Sequence, residues 1–248
     1  MTKWIYGKHS CLLFLENKNS TIKRVLITEN FVNRNKRILQ NILSEDDFSN
    51  LILKNIIQEN KISNQLPENS VHQGIAILIE EKKLIITDIL EKINNKSQST
   101  IVITDKITDP HNLGAITRSA AAFNIDAIFM PLHGNTQPIS PTVSKSACGG
   151  TEFVDLIQIS NINNLIEKLK KNSFWIYGLS NSPNSQSLYD INFTSKSAII
   201  LGSEDKGIRP SILKSCDYHV KINISDNMES LNVSNAAAIT MSYIYNNS

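Results

Sequence analysis

Blocks of apolar and polar residues alternate along the chain, and their spacing predicts strands and helices in turn. The clearest example covers residues 101–131: a β-branched run ends at Asp105, small apolar residues recur at helical spacing after Asn112, and a second apolar run begins at Ile125. Strand, loop, helix and strand within about thirty residues predict a βαβ unit. Such units bind ligands beyond the carboxyl ends of their strands, so the polar residues there are candidates for a site.

The same alternation extends over the rest of the chain. Before residue 80 it predicts helices over 4–16, 34–43 and 46–59 and strands over 24–28 and 71–79. After residue 100 it predicts helices over 112–123, 163–171 and 232–245, a helix ending near Cys148, and strands over 101–104, 125–130, 153–159, 174–180, 197–204 and 218–224. Strands that alternate with helices predict an α/β protein with a mostly parallel sheet covered on both faces.

This pattern divides the chain of 248 residues into two predicted domains. Residues 1–80 form a small α/β domain, and residues 100–248 form a larger one that holds most of the strands. The stretch 81–99 is charged and then polar, with one short apolar run, which predicts a linker or a bridging helix.

Composition indicates the class of protein. Hydrophobic residues make up 41% and charged residues 19%, values typical of a globular chain. No apolar run approaches the length of about eighteen residues that a membrane span needs, so no membrane partner is expected. Three cysteines, an odd number far apart in sequence, predict reduced thiols in a cytoplasmic protein. Glu16 interrupts the apolar N-terminus and no small-residue cleavage site follows, so no signal peptide is predicted.

Charge is distributed unevenly along the chain. The net charge is only +2, but residues 1–40 hold eight Lys or Arg against two acidic residues. A basic end on a nearly neutral chain indicates a polyanionic partner. Solvated lysines and arginines on surface helices explain the same excess, so both interpretations stay open.

Three loops carry the candidate chemistry, at residues 109–120, 200–207 and 228–238, and each follows a predicted strand or opens a predicted helix. Because the carboxyl ends of parallel strands lie on one side of the sheet, loops far apart in sequence can converge there. Glycine in such loops allows the backbone to approach a ligand closely. The polar candidates are Asn112, Arg118, Glu204, Ser230 and Asn232, set among Gly114, Gly202 and Gly207.

Several common sites are excluded by their missing motifs. The sequence has no GxGxxG after a strand and no GxxxxGK[ST], so neither a Rossmann dinucleotide site nor a P-loop is supported. No CxxC or HExxH pattern indicates zinc, and no metal is expected. His111 is the one histidine in a candidate loop, and it is interpreted as a hydrogen-bond partner that orders the loop rather than as a catalyst.

Each loop also has a purely structural interpretation. Asn112 is a favoured helix N-cap, and Arg118 would be a solvated arginine on a helix. Glu204 would be a carboxylate at a strand end, with Ser230 and Asn232 at a helix entry. The functional interpretation is preferred because all three loops occur, in order, in one domain.

The three loops resemble the three motifs of the SpoU family of RNA ribose 2′-O-methyltransferases. NLGAITRSA matches the first motif, ILGSEDKG is close to the second, and SLNVSNAAAI is close to the third. YGKH and VHQGI are similar to the N-terminal RNA-binding domain of the branch that methylates a guanosine ribose in large-subunit rRNA. The resemblance therefore covers nearly the whole chain.

The resemblance implies a fold, an activity and partners. It implies a C-terminal methyltransferase domain with a trefoil knot, preceded by a small α/β RNA-binding domain like that of a ribosomal protein. It implies S-adenosylmethionine as cofactor, RNA as partner with rRNA favoured over tRNA, and a homodimer with the site at the subunit interface. The alternatives are a tRNA ribose methyltransferase of the same family and a non-catalytic RNA-binding factor of ribosome assembly.

The resemblance also implies roles for single residues. Those that hold or activate the target ribose are Asn112, Arg118, Glu204, Ser230 and Asn232, and those that contact S-adenosylmethionine are Gly202, Ile222 and Leu231. The family assigns hydroxyl activation to the arginine. Because a guanidinium is effectively always charged, we expect Arg118 to act as an electrostatic clamp on the neighbouring phosphate and the developing alkoxide.

Two positions depart from the family pattern. Asp205 stands where the second motif usually has glycine, and a left-handed backbone there would cost free energy. Asn223 stands where the family commonly has proline, which predicts a looser loop. Neither change removes a proposed catalytic group, so activity is still expected.

Overall fold

A computed structural model describes residues 2–17, 21–68, 70–80, 85–136 and 140–247. The chain forms two compact units, Met1–Lys83 and Leu84–Ser248. Each unit has its own sheet, one of three strands and one of seven. No helix in these described ranges is both long and apolar enough to cross a bilayer.

The first unit is a three-stranded antiparallel sheet with helices packed against it. Its strands are β1 (Thr2–Tyr6), β2 (Thr21–Ile27) and β3 (Ile75–Glu80), in the order β1-β3-β2. Its helices are α1 (Lys8–Asn17), α2 (Glu29–Ile42), α3 (Glu45–Asp47) and α4 (Glu59–Ser63), with a π turn at Phe48–Ile52 and a 3-10 turn at Leu53–Asn55. The core is formed by apolar side chains of both layers, among them Phe14, Leu39 and Ile77.

Two predicted helices of this unit need correction. The helix predicted over 4–16 begins only at Lys8, because the residues before it form β1 and pair with β3, with Trp4 opposite Leu78. A short apolar run fits either element, and pairing with the sheet decides it. The helix predicted over 46–59 is broken into short turns, and the strand predicted from residue 71 begins at Ile75.

The second unit contains an all-parallel sheet of seven strands, which confirms the predicted mostly parallel sheet. The strands are β4 (Ser99–Thr104), β5 (Ala127–Pro131), β6 (Asp155–Ile159), β7 (Trp175–Leu179), β8 (Gln186–Ser187), β9 (Lys196–Leu201) and β10 (Tyr218–Lys221). Their order is β6-β5-β4-β9-β7-β10-β8, and every neighbouring pair runs parallel. All carboxyl ends therefore lie on one side.

Helices cover both faces of this sheet. They are α5 (Ile86–Asn94), α6 (Pro110–Ala122), α7 (Pro141–Ala147), α8 (Ile162–Lys171), α9 (Pro210–Leu213) and α10 (Val233–Asn246). Ile101 and Ile103 of β4 pack with α5, α8 and α9, whereas Val102 packs with α6 and α10. Successive side chains of β4 thus pack into two apolar layers, one on each face of the sheet, as expected for a strand buried on both sides.

The stretch 81–99, predicted as a linker or a bridging helix, holds α5 and the start of β4. Ile89 and Ile93 of α5 are buried in the core of the second unit. Residues 81–84 of the stretch lie outside the described residues.

Candidate active site

The first candidate loop runs from β4 into α6, and Asp109 rather than Asn112 caps this helix. The Asp109 carboxylate accepts a hydrogen bond from the His111 backbone N–H at 2.8 Å. The His111 ring lies 3.2 Å from the Ser146 hydroxyl of α7, measured from Nδ1. Because Asp109 supplies the cap, the side-chain amide of Asn112 is available for contacts outside its own helix.

A chain of side-chain hydrogen bonds joins the three loops, and we call its members Ser234, Asn232, Asn112 and Glu204 the amide chain. Ser234 Oγ donates to Asn232 Oδ1 at 2.6 Å, and Asn232 Nδ2 donates to Asn112 Oδ1 at 3.1 Å. Asn112 Nδ2 donates to Glu204 Oε1 at 2.6 Å. The last two bonds connect residues 120 and 92 positions apart in sequence. The loops therefore converge as the parallel sheet predicts.

A cavity of about 550 Å³ lies at the carboxyl ends of β7, β9 and β10. Apolar residues at or next to these strand ends, Leu179, Leu201 and Val220, form part of its wall. The predicted cofactor residues all line it, as do two predicted catalytic residues: Gly202, Ile222, Leu231, Glu204 and Ser230. Asn112 and Asn232 are not among the residues given for this wall, and hydrogen bonds connect them to Glu204, which is.

The second motif forms a tight turn whose geometry requires glycine. Backbone hydrogen bonds of 3.1 Å and 3.0 Å close the turn, with each of Ser203 and Gly207 donating its N–H to the carbonyl of the other. A Cβ atom on Gly202 would lie 2.1 Å from the carbonyl carbon of Gly207, which no side chain could occupy. The left-handed φ of this turn, +64°, falls on Gly207. Asp205 is not among the described residues with positive φ, so the cost of a left-handed backbone does not arise there.

The second departure from the family pattern is also accommodated. Asn223, which follows β10, donates from Nδ2 to the Ser187 hydroxyl at 3.1 Å. Ser187 belongs to the neighbouring strand β8. This hydrogen bond ties the loop to the sheet and opposes the loosening that the loss of proline predicts.

Arg118 lies apart from the other candidates. Its side chain is exposed on α6, and its Nη1 approaches the Sγ of Cys148 at 3.7 Å. Cys148 caps the C-terminus of α7 with a left-handed φ of 48°. Within the described part of one chain, Arg118 neither lines the cavity nor contacts the amide chain. In a single chain, Arg118 is therefore not brought together with the other candidates of the three loops.

Three polar residues of the cavity wall lie outside the loops singled out from the sequence. Ser180, Asn181 and Ser182 follow β7 directly and line the cavity, and Asn181 Nδ2 donates to the carbonyl of Glu229, another lining residue, at 3.1 Å. Their position after a buried parallel strand was the available signal. Among the residues that the structure describes, no group of three or more His, Cys, Asp or Glu could hold a metal ion.

Two known protein families match this chain, one over each of its two parts. A family model described as the SpoU rRNA Methylase family matches residues 99–242, and one described as RNA 2′-O ribose methyltransferase substrate binding matches residues 4–84. The chain is 31% identical over 242 residues to a 23S rRNA (guanosine-2′-O-)-methyltransferase RlmB of Acinetobacter baylyi, covering 96% of this chain and 95% of the relative. It is 30% identical over 243 residues to the RlmB of Haemophilus ducreyi, covering 97% and 96%.

Solved structures share the fold. The SpoU methyltransferase AviRb of Streptomyces viridochromogenes, in complex with the cofactor AdoMet, superimposes with a TM-score of 0.74 at 18% identity, covering 99% of this chain and 89% of that one. An AdoMet-bound rRNA methyltransferase of Sinorhizobium meliloti gives a TM-score of 0.74 at 16% identity, covering 99% and 87%. The predicted methyltransferase fold is thus confirmed, and because the matching family model spans more than half of the sequence, the chain belongs to the SpoU rRNA methylase family.

Proposed function

We propose that the protein transfers a methyl group from S-adenosylmethionine to the 2′-hydroxyl of an RNA ribose, with a guanosine of 23S rRNA as substrate. The observation that carries this proposal is the amide chain, because it brings the three motif loops together at the wall of one cavity. The two relatives named for methylation of a 23S rRNA guanosine match this chain over almost its whole length, and this supports the choice of substrate.

The cavity fits the cofactor in size and in chemistry. About 550 Å³ lies within the range of roughly 300–1,000 Å³ for small-molecule sites. Apolar residues such as Ile222 and Leu231 line it together with three acidic residues and one lysine, an acidic excess that suits a partly apolar cation. The charged residues are Glu204, Asp205, Glu229 and Lys206. S-adenosylmethionine, when bound, supplies a methyl group on a positively charged sulfonium. We assign its binding to Gly202, Ile222 and Leu231.

The amide chain orients the groups that would meet the ribose. Methyl transfer to a hydroxyl requires the oxygen to align with the reacting carbon, so small displacements are costly. The side-chain N–H of Asn112 donates to one oxygen of Glu204, and its side-chain carbonyl accepts from Asn232. Both neighbouring side chains are thereby held in place. We propose that Glu204, Ser230 and Asn232 hold and orient the 2′-hydroxyl from this arrangement.

Arg118 supports a site completed by a second copy of the chain. Among the described residues, its exposed guanidinium makes one weak contact, with the Cys148 sulfur, which leaves it available to an anionic partner. We propose that in a homodimer it reaches the cavity of the second copy and clamps the RNA phosphate and the developing alkoxide. The trefoil knot implied by the family resemblance stays a prediction.

The two parts of the chain receive different tasks in this proposal. Residues 1–80 would capture structured RNA with their basic surface, residues 81–99 would connect, and residues 100–248 would carry out the transfer. Exposed basic side chains of the first unit, such as Arg24, Arg34 and Arg37, support the first assignment.

The test is transfer of a tritiated methyl group to unmodified rRNA and tRNA. Wild type, Arg118→Ala and the control Lys168→Ala, an exposed cation on α8, are compared in parallel. We expect label in large-subunit rRNA with wild type and Lys168→Ala, and its loss with Arg118→Ala. Label in tRNA alone would favour the tRNA branch of the family. No label in either RNA, with the cofactor bound in calorimetry, would favour a non-catalytic assembly factor.

A further inference from the structure

A fully buried carboxylate lies next to the site without lining its cavity. Asp105 follows the last residue of β4, and its side chain has no solvent exposure. Its Oδ2 accepts from the Arg209 backbone N–H at 2.9 Å, and its Oδ1 accepts from Arg209 Nε and Nη2, each at 2.8 Å. Its own backbone N–H donates to the carbonyl of Leu201 at 2.7 Å. Both carboxylate oxygens and the backbone N–H of Asp105 are therefore engaged.

Such a pair is poorly explained by stability alone. Burying a carboxylate is costly, and a buried ion pair often contributes little net stability compared with apolar residues of similar volume. Here the desolvation cost falls mostly on the carboxylate, because the Asp105 side chain is 0% exposed whereas the Arg209 side chain is 44% exposed. The guanidinium of Arg209 is planar, and two of its nitrogens and the adjacent backbone N–H contact the carboxylate. These contacts fix the orientation of Arg209 relative to Asp105 as well as the distance between them.

The pair connects the stems of two loops whose tips form the site. On one side, Asp105 leads through three residues to Asp109, which caps the helix carrying Asn112. On the other side, Arg209 follows the Ser203–Gly207 turn, which carries Glu204. The tips meet at the 2.6 Å hydrogen bond from Asn112 to Glu204. The Asp105–Arg209 pair therefore holds the stems of both loops at one carboxylate.

We propose that Asp105 and Arg209 are positioning residues that set Glu204 against Asn112 for the methyl transfer, an inference that rests on the proposed function. Neither residue is among the described residues that line the cavity, so neither is assigned a contact with cofactor or ribose. Their loss should displace Glu204 and slow the chemical step while the binding of RNA is retained.

The chain offers a matched control at the other end of the sheet. Asp217 precedes β10, and it too combines a backbone N–H with a cation: Oδ2 accepts from Ile176 N at 2.9 Å and Oδ1 from Lys170 Nζ at 2.6 Å. Asp217→Asn therefore removes an ion pair of the same construction away from the amide chain. Arg209→Ala and Arg209→Lys test the proposed pair, and lysine keeps the charge but loses the planar fork.

The experiment measures kcat and KM for rRNA together with hydrogen exchange of the two loops by mass spectrometry. We expect Arg209→Ala to lower kcat roughly a hundredfold with KM for RNA within about twofold, and Arg209→Lys to recover part of the loss. Amide exchange should rise over residues 201–208 and 109–116 in Arg209→Ala and stay at the wild-type level in Asp217→Asn, which should also keep kcat.

The outcomes distinguish a failure of the positioning role from a failure of the proposed function. Equal kcat and equal loop exchange in Arg209→Ala and Asp217→Asn would overturn the positioning role. A fall in kcat without faster exchange in either loop would also overturn it, because Arg209 would then act by direct contact. An inactive wild type would contradict the proposed function. Even then, faster amide exchange confined to Arg209→Ala and Arg209→Lys would support the role of the Asp105–Arg209 pair in holding the two loops.

Discussion

The two ends of the parallel sheet are built from different polar contacts. At the amino end, an Asp at the start of β5, β6 or β10 pairs with a Lys from a preceding helix or loop, giving Lys96–Asp126, Lys92–Asp155 and Lys170–Asp217. These lysines are between 39% and 58% exposed. At the carboxyl end, hydrogen bonds between amides and a carboxylate join loops 92 and 120 residues apart, beside one fully buried carboxylate.

This difference separates contacts that support the sheet from contacts that shape the site. Exposed ion pairs contribute about 0–1 kcal/mol each, and those at the amino end tie a strand to its neighbouring helix or loop. The amide chain ties no strands together, since its members lie in loops and at helix starts. Its geometry serves the cavity, so changes at the carboxyl end should act on activity and changes at the amino end on stability.

The largest effect is expected for Asn112→Asp. This substitution replaces the amide that donates to Glu204 at 2.6 Å with a second carboxylate, and two like charges at that distance repel strongly. We expect the rate of methyl transfer to fall about a thousandfold and the thermal midpoint to decrease, because the same repulsion opposes folding. Steady-state kinetics and calorimetric unfolding measure the two quantities. Activity within tenfold of wild type would contradict a central role for the amide chain.

Gly202→Ala should have the next largest effect. The added Cβ would collide with the backbone of Gly207 at 2.1 Å and force the second-motif turn open. We expect cofactor affinity to fall at least about tenfold, since the turn lines the cavity. Titration calorimetry with S-adenosylmethionine measures this change. Gly207→Asn is the control, because asparagine adopts left-handed φ more readily than most residues and a Cβ at Gly207 meets nothing within 4 Å.

Substitutions at the amino end should be much milder. Lys170→Met removes the cation that pairs with Asp217, a lysine that is 39% exposed. We expect unfolding free energy to fall by about 1 kcal/mol or less, and kcat to remain within about twofold of wild type. Denaturant unfolding and the methyl-transfer assay provide the two readings. A loss of kcat comparable to that of Asn112→Asp would remove the distinction between the two ends.

The smallest expected effect concerns two cysteines. Burial, together with the neighbouring Asp217 carboxylate, raises the pKa of the Cys216 thiol to about 12. Cys148 is exposed beside Arg118, so iodoacetamide at pH 8 should modify Cys148 well before Cys216. Peptide mass spectrometry of timed samples identifies the order, and initial modification of Cys216 would contradict the burial described here.

The raised pKa of Cys216 also gives a direction for stability with pH. In the unfolded chain the thiol loses its proton near its ordinary value of 9.0, whereas the folded chain retains the proton up to about 12. Folding therefore binds a proton in this window, and the contribution of Cys216 to stability falls as pH rises from about 9 to 12.

The sequence predicted the convergence of the loops because a parallel sheet leaves little choice. Alternating strand and helix patterns imply parallel strands, and parallel strands place all carboxyl-end loops on one side. The pairing of Asn112 with Glu204 follows from that geometry once the order of the strands is known. The pattern could not supply that order, in which β9 lies between β4 and β7.

Other features of the fold and the site depend on contacts between residues far apart in the chain, which local sequence patterns do not predict. Asn112 and Asp109 are both good N-caps, and only the structure shows that Asp109 takes that role and leaves Asn112 for the site. β8 and α9 have two and four residues, too few for a periodic pattern. Arg118 lies away from the cavity because its contact is with Cys148 at the end of α7, a neighbour that sequence spacing does not identify.

The most direct test of the account is nucleoside mass spectrometry of unmodified 23S rRNA after incubation with the protein and S-adenosylmethionine. Wild type and Asn112→Asp are compared, because the variant changes the amide chain and little else. The account predicts 2′-O-methylguanosine with wild type and almost none with the variant. Methylation on a base, or equal amounts of 2′-O-methylguanosine with both proteins, would contradict it.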